Sequence, residues 1–111
     1  MSLHVVTGGA GFIGSHIAEA LVSRGDAVRV LDNFATGKAE NVAGFKAHID
    51  LRKVDIATES ALADHLEGAD TVFHQAALPS VPRSIADPVA SHEANVNATL
   101  NLLIASREAG V

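Results

Sequence analysis

Apolar residues in this chain follow two spacings that take turns along it. Leu3-His4-Val5-Val6 is a short strand-favouring run that stops at Thr7-Gly8-Gly9-Ala10-Gly11, a cluster that breaks strand and helix alike. Helical spacing follows: Ile13, Ile17 and Leu21 recur every fourth residue with Ala18 and Val22 beside them, which predicts an amphipathic helix with one face on a sheet. Gly25 suits the left-handed position that ends it. Ala27 to Leu31 reads as a second strand, Asp32 to Lys38 as a polar loop and Ala39 to Val42 as a weak helical turn. His48 to Val54 alternates, which predicts a third strand with one wet face. Thr58 is expected to cap the next helix, whose buried stripe would be Ala61, Leu62, Leu66 and Ala69. Thr71 to His74 is a fourth strand, apolar enough to be central. Pro79, Pro82 and Pro88 mark an irregular stretch, and a long helix runs from Val89 to Ala109, ended by Gly110. Apolar residues on more than one face of that helix imply burial on both sides. Strands and helices alternating at this spacing define an α/β fold, a parallel sheet with right-handed crossovers.

Composition narrows the function classes. With 48% hydrophobic and 19% charged residues among 111, the chain can build a core and is not disordered. It has no Cys, which excludes disulfide scaffolds and thiolate metal sites. The net charge of −5 is the wrong sign for non-specific nucleic-acid binding. No apolar run is long enough to span a membrane, and the first residues carry no basic targeting region, so a cytoplasmic location is expected. His4, His16, His48, His65, His74 and His92 fall on different elements without paired helical spacing, so no metal site is expected.

The chemistry begins at the glycine cluster. Gly9-Ala10-Gly11-Phe12-Ile13-Gly14 fits G-x-G-x-x-G, and Gly8, Gly11 and Gly14 also stand three apart, between a strand and a helix. An early Gly permits the sharp turn, Gly11 lets a diphosphate approach backbone N–H groups, and Gly14 lets helix and strand pack closely. The helix N-terminus then offers unpaired donors and the positive end of its dipole. Asp32 ends the second strand about 20 residues later, where a carboxylate accepts from both adenosine ribose hydroxyls. It would repel a 2′-phosphate, so NAD is favoured over NADP, with Lys38 as a nearby cation that would partly tolerate NADP.

Together these residues resemble the extended short-chain dehydrogenase/reductase family, and within it the NAD-dependent nucleotide-sugar epimerases and dehydratases, of the UDP-glucose 4-epimerase kind. Thr7 to His16 is similar to the opening motif of that family. Leu31-Asp32-Asn33-Phe34 with Thr36-Gly37-Lys38 resembles its ribose loop, and Asp55-Ile56 its pair at the adenine. His74-Gln75-Ala76-Ala77 resembles the H-x-A-A segment beside the nicotinamide half. Asn95 to Leu100 resembles the start of an N-V-x-G-T-x-N-L-L helix, with Ala98 in place of the usual Gly. The resemblance implies a Rossmann-type doubly wound sheet in the order 3-2-1-4. It implies an NAD site formed by the loop from Gly8 through Phe12 and Ile13 to Gly14, the ribose loop, Asp55 with Ile56, Gln75 to Ala77, and Asn95. On the residues alone, the small side chains of Ala76 and Ala77 are equally well explained by close packing, and a helical Asn95 by bracing the loop after the fourth strand.

Ser80-Val81-Pro82-Arg83-Ser84 resembles a loop of epimerases acting on UDP-N-acetylhexosamines and UDP-hexuronates, where 4,6-dehydratases carry Asp in place of Pro82. The resemblance makes Ser80 and Ser84 candidate contacts to substrate hydroxyls, and Arg83 a substrate anchor or a local ion-pair former. Family chemistry forms a transient 4-keto sugar by hydride transfer to NAD and requires a Tyr-x-x-x-Lys pair. The chain has no Tyr. Residues 1–111 are therefore expected to be the NAD-binding part of a larger enzyme, truncated before a fifth strand, without the substrate domain and inactive alone. The alternatives are part of a 4,6-dehydratase or a non-catalytic dinucleotide-binding module. The family resemblance also implies a homodimer through the helix at 89–109.

Overall fold

The computed structural model describes residues 2–111. Four parallel strands, β1 (Leu3–Thr7), β2 (Ala27–Asp32), β3 (Ile49–Lys53) and β4 (Thr71–His74), lie in the order β3-β2-β1-β4. Thr7 stands beside Leu31 on one side and His74 on the other, so the loops after β1, β2 and β4 emerge side by side at one edge. Helix α1 (Phe12–Ser23) and the short 3₁₀ turns at Ala39–Asn41 and Lys46–His48 precede β3. Then come α2 (Leu62–His65), α3 (Val81–Ala86), α4 (Pro88–His92), a π-helical turn (Glu93–Asn97) and α5 (Ala98–Ala109).

The period-two strands divide the core between two faces. Val6, Val28 and Val30 pack with Ala18 and Leu21 of α1 and with Val42 and Phe45. Val5 and Leu31 point the other way, onto Leu62 and Leu66 of the α2 region and Ala98, Leu102 and Ala105 of α5. Burying one such Val or Leu contributes about 1.5–3 kcal/mol. On the same face Arg29 donates to Asp50 and to the carbonyl oxygens of His65 and Glu67, tying the C-terminal end of α2 to the sheet. The Arg52 guanidinium, 2.9 Å from Asp50, holds that carboxyl below its ordinary value, with Arg29 adding to the effect.

Several expectations are corrected. Ile13 is not part of the buried stripe of α1: it is 62% exposed, because a four-residue spacing drifts around a helix of about 3.6 residues per turn and leaves Ile13 beside the face that Gly14, Ser15, Ala18 and Leu21 bury. Thr58 does not cap a helix. Its N–H and that of Glu59 donate to the Asp55 carbonyl in a turn, Glu59 caps Ala61 instead, and Ala61 is exposed. The stretch between the prolines is not irregular throughout, since Ser80 caps α3 with Pro82 in its first turn, and Asp87 then caps α4 with Pro88 at its start. The long helix is interrupted by the π turn, and only one face is covered: Leu100 is 55% and Leu103 64% exposed. β4 pairs with β1 alone and forms an edge of the four-stranded sheet, as the expected order 3-2-1-4 without a fifth strand implies.

Candidate functional site

A cleft of about 440 Å³ opens over the carboxyl ends of the four strands, bounded on its far side by α4 and the π turn. Its location is the one open α/β sheets use for ligands. The floor is the loop after β1. Gly8 has φ +66°, and a Cβ there would press on the Ala76 N and Cα at 2.7 and 2.8 Å, so only Gly lets the loops after β1 and β4 touch. Gly14 packs its Cα onto the Gly8 peptide, and Gly11 N–H donates to the Gly8 carbonyl at 3.0 Å. Gly11 also precedes α1 without any side-chain cap, which leaves first-turn N–H groups for an anion.

Asp32 forms the second wall. It is 7% exposed, and each carboxylate oxygen accepts one backbone N–H: Oδ2 from Ala10 at 2.9 Å, Oδ1 from Phe34 at 2.7 Å. The second bond turns the chain so tightly that Phe34 takes φ +61°, and its ring packs with the α1-side core rather than in the cleft. Gly37 folds over the carboxylate, where a Cβ would lie 2.7 Å from Oδ2. The Lys38 N–H and the Asn41 amide both donate to the Ala10 carbonyl, at 3.0 and 2.8 Å, clasping the ribose-loop candidate onto the glycine loop.

Of the residues singled out from the sequence, Gly8, Gly11, Asp32, Asn33, Thr36, Asp55, Ile56, Gln75, Ala76 and Ala77 line the cleft together. Phe12, Ile13, Gly14, Phe34, Gly37 and Lys38 do not line it; Gly14 and Gly37 pack against the glycine loop and Asp32 behind it. Asn95 acts as a brace. Its Oδ1 accepts Leu78 N–H at 2.7 Å and its Nδ2 donates to Leu78 O at 3.1 Å. Ser80, the cap of α3, and Arg83 and Ser84 on it lie outside the cleft. Ser80 Oγ accepts from Arg83 N–H and Ser84 Oγ donates to Val81 O. Among the described residues, no group of metal-ligating side chains comes together.

Sequence reading missed the opposite wall. Ala90, Ala94 and Ala98 line the cleft with Glu93 between them. Their four-residue spacing of small side chains was a signal for close helix approach. Asn101 was missed too: its amide donates to the Ala57 carbonyl at 3.1 Å, anchoring α5 to the loop after β3.

The parallel sheet, the glycine turn and the acid ending β2 define a Rossmann-like dinucleotide-binding domain. The family model described as the NAD dependent epimerase/dehydratase family matches residues 4–111, and the chain belongs to that family. It is 36% identical over 102 residues to a UDP-N-acetyl-alpha-D-glucosaminuronate decarboxylase from Bacillus cytotoxicus, covering 92% of this chain and 32% of that protein. It superimposes on a UDP-glucose 4-epimerase from Thermus thermophilus in complex with NAD with a TM-score of 0.88 and 46% identity, over 98% of this chain and 35% of that one. A dTDP-glucose 4,6-dehydratase from Streptomyces venezuelae with NAD bound gives 0.92 and 38%, over 98% and 37%. The chain thus spans about a third of the length of these proteins. No helix among the described residues is long and apolar enough to cross a membrane.

Proposed function

We propose that residues 1–111 are the NAD-binding portion of a nucleotide-sugar epimerase, of the UDP-hexose or UDP-N-acetylhexosamine 4-epimerase type. The observation that carries the reading is Asp32, a buried carboxylate at the cleft whose two oxygens each have one backbone donor and spare lone pairs. Those lone pairs suit a pair of ribose hydroxyls. The glycine loop and uncapped first turn of α1 suit the diphosphate. Asp55 and Ile56 would flank the adenine, and Gln75 to Ala77 the nicotinamide half. Bound NAD supplies a reversible acceptor for the hydride of a sugar carbon. Ser80 keeps its proton, and Ser84 its lone pairs, for substrate hydroxyls beside Arg83.

The alternative parent is a dehydratase or decarboxylase, favoured by the match to the Bacillus cytotoxicus decarboxylase. Pro82, where 4,6-dehydratases carry Asp, favours the epimerase. Calorimetric titration of the 111-residue chain tests the cofactor. Saturable NAD binding, tighter than NADP, is expected, and absence of NAD binding overturns the reading. With no Tyr present, these residues alone are expected not to interconvert UDP-glucose and UDP-galactose. Interconversion that survives repurification would refute the assignment to a cofactor-binding portion.

The bare face of α5 supports a second part of the proposal, a homodimer. Leu100, Leu103 and Ile104 are 55%, 64% and 38% exposed along one helix, and water disfavours such surface at roughly 25 cal/mol per Å². Sedimentation at micromolar concentration is expected to show a dimer that Leu103→Glu dissociates. A dimer unaffected by Leu103→Glu would point to pairing through the β4 edge, and a soluble monomer would end the proposal.

A further inference from the structure

His74 sits at the end of β4 with both ring nitrogens engaged. Nδ1 lies 2.7 Å from Thr7 Oγ1 of β1, and Nε2 lies 2.8 Å from Thr99 Oγ1 of α5. The surrounding donors decide where the protons are. Thr99 Oγ1 donates its one proton to the Asn95 carbonyl at 2.8 Å, so toward His74 it can only accept, and Nε2 must carry hydrogen. Thr7 Oγ1 accepts the N–H groups of Gln75 and Ala76 at 3.1 and 3.2 Å, which fills its lone pairs. Its own proton therefore goes to Nδ1, which must be bare. The two ends require the same tautomer independently.

We propose that His74 is a positioning residue: neutral and protonated at Nε2, it holds the Thr7 hydroxyl ready to receive the Gln75 and Ala76 N–H groups, and so fixes the cleft wall meant for the nicotinamide half of NAD. This rests on the reading of the cleft as an NAD site. Gln75 N–H also donates to the Thr7 carbonyl at 3.1 Å, so Ala76 is the link that depends on the hydroxyl alone. Ala76 is also the residue against which Gly8 packs, so the diphosphate loop shares the same support. A second proton on His74 would set Nδ1–H against the Thr7 O–H. Thr7, fully buried, has no other acceptor for its proton among these partners, and the Ala76 bond would yield.

The ring faces Thr7 from β1, and Thr99 with the Asn95 carbonyl behind it from the helix; none of these titrates. Burial lowers the imidazole below its ordinary value of 6.5 and is the whole cause of the shift. The sign follows. The folded state resists the proton more than the unfolded state, so the contribution to stability is complete above the ordinary value and is lost as pH falls through the folded one. NAD affinity is expected to carry the same acid limb.

Imidazole ¹⁵N NMR of the 111-residue chain should show His74 as the Nε2–H tautomer, and an Nδ1–H tautomer overturns the proposal. His74→Leu removes the acceptor and should speed amide exchange at Ala76 about tenfold, the equivalent of one lost hydrogen bond. His74→Asn, which places an acceptor near the position of Nδ1 and does not titrate, should restore protection and flatten the acid limb of NAD affinity. Unchanged Ala76 exchange in His74→Leu, or an unaltered acid limb in His74→Asn, refutes the proposal. If His74→Leu does not fold, the tautomer and the His74→Asn profile decide. Absence of NAD binding by the unsubstituted chain, with tautomer and exchange as expected, would sink the cofactor reading and leave the network standing.

Discussion

Gly14→Ala is expected to be the most damaging single-methyl change in the chain. A Cβ at this position falls on the Gly8 carbonyl oxygen and lies 2.8 Å from the Gly8 carbonyl carbon and 2.9 Å from the Gly9 Cα. All three are backbone atoms of a turn that cannot step aside, because Gly8 is itself held against Ala76 and its N–H donates to the Leu31 carbonyl at 2.8 Å. Overpacking of a flexible core costs about 1–3 kcal/mol, and a rigid turn belongs at the top of that range or beyond. A loss of about 3 kcal/mol lowers the melting temperature of a domain this size by about 15 °C. NAD affinity should fall more than tenfold, since the displaced atoms belong to the loop proposed to carry the diphosphate. Gly44→Ala is the control: nothing lies within 4 Å of its Cβ position, so thermal denaturation should be unchanged or slightly later. Equal melting of the Gly14 and Gly44 variants would show that the close approach at the loop is not a constraint.

The glycine loop and Asp32 were legible because their signals are local. A glycine cluster between a strand and a helix, and an acid closing the next strand, are read from the local order of residues, although the contacts they make reach distant segments. The sheet order was legible through the family resemblance of those motifs. Ile13 misled because a four-residue spacing drifts around the helix, so it stands off the face that Gly14, Ala18 and Leu21 bury. The break in the long helix was not read, although the π turn at Glu93–Asn97 carries Asn95 and Asn97, whose side chains compete with helical backbone bonding. What remained hidden is long-range polar bonding. Asn101 reaches a carbonyl 44 residues away, and His74 a hydroxyl 25 residues away, and no periodicity encodes such pairs.

These distant bonds explain how a cleft built from four loops keeps its shape. One helical stretch holds both sides: Asn95 clamps Leu78, Thr99 accepts from His74, and Asn101 fixes Ala57. The small residues Ala90, Ala94 and Ala98 bring that stretch close, and its polar residues pin the loops after β3 and β4. The strands supply position, and the helix supplies the spacing between the loops after β3 and β4.

Asp32→Ala is expected to separate cofactor recognition from loop structure. In the folded chain the carboxylate gathers two backbone donors from different segments, Ala10 of the glycine loop and Phe34 of the loop after β2. Alanine leaves both N–H groups without that acceptor in a site that is 7% exposed. Each buried orphan costs about 1–3 kcal/mol, so a lower melting temperature should accompany the change even without ligand. Loss of the proposed bonds to the ribose hydroxyls should weaken NAD about tenfold or more, since about 1.4 kcal/mol corresponds to a factor of ten. NADP should lose less, because the charge that repels its 2′-phosphate is gone, and the NAD-to-NADP preference should narrow. Asp32→Asn is not expected to rescue either property. Both oxygens accept N–H groups, so an amide must turn its NH₂ toward one of those donors. Calorimetry with both dinucleotides, beside thermal denaturation of each variant, reads the two effects apart. Parental NAD affinity in a destabilised Asp32→Ala chain would leave the carboxylate as a loop clasp and remove it from the cofactor site.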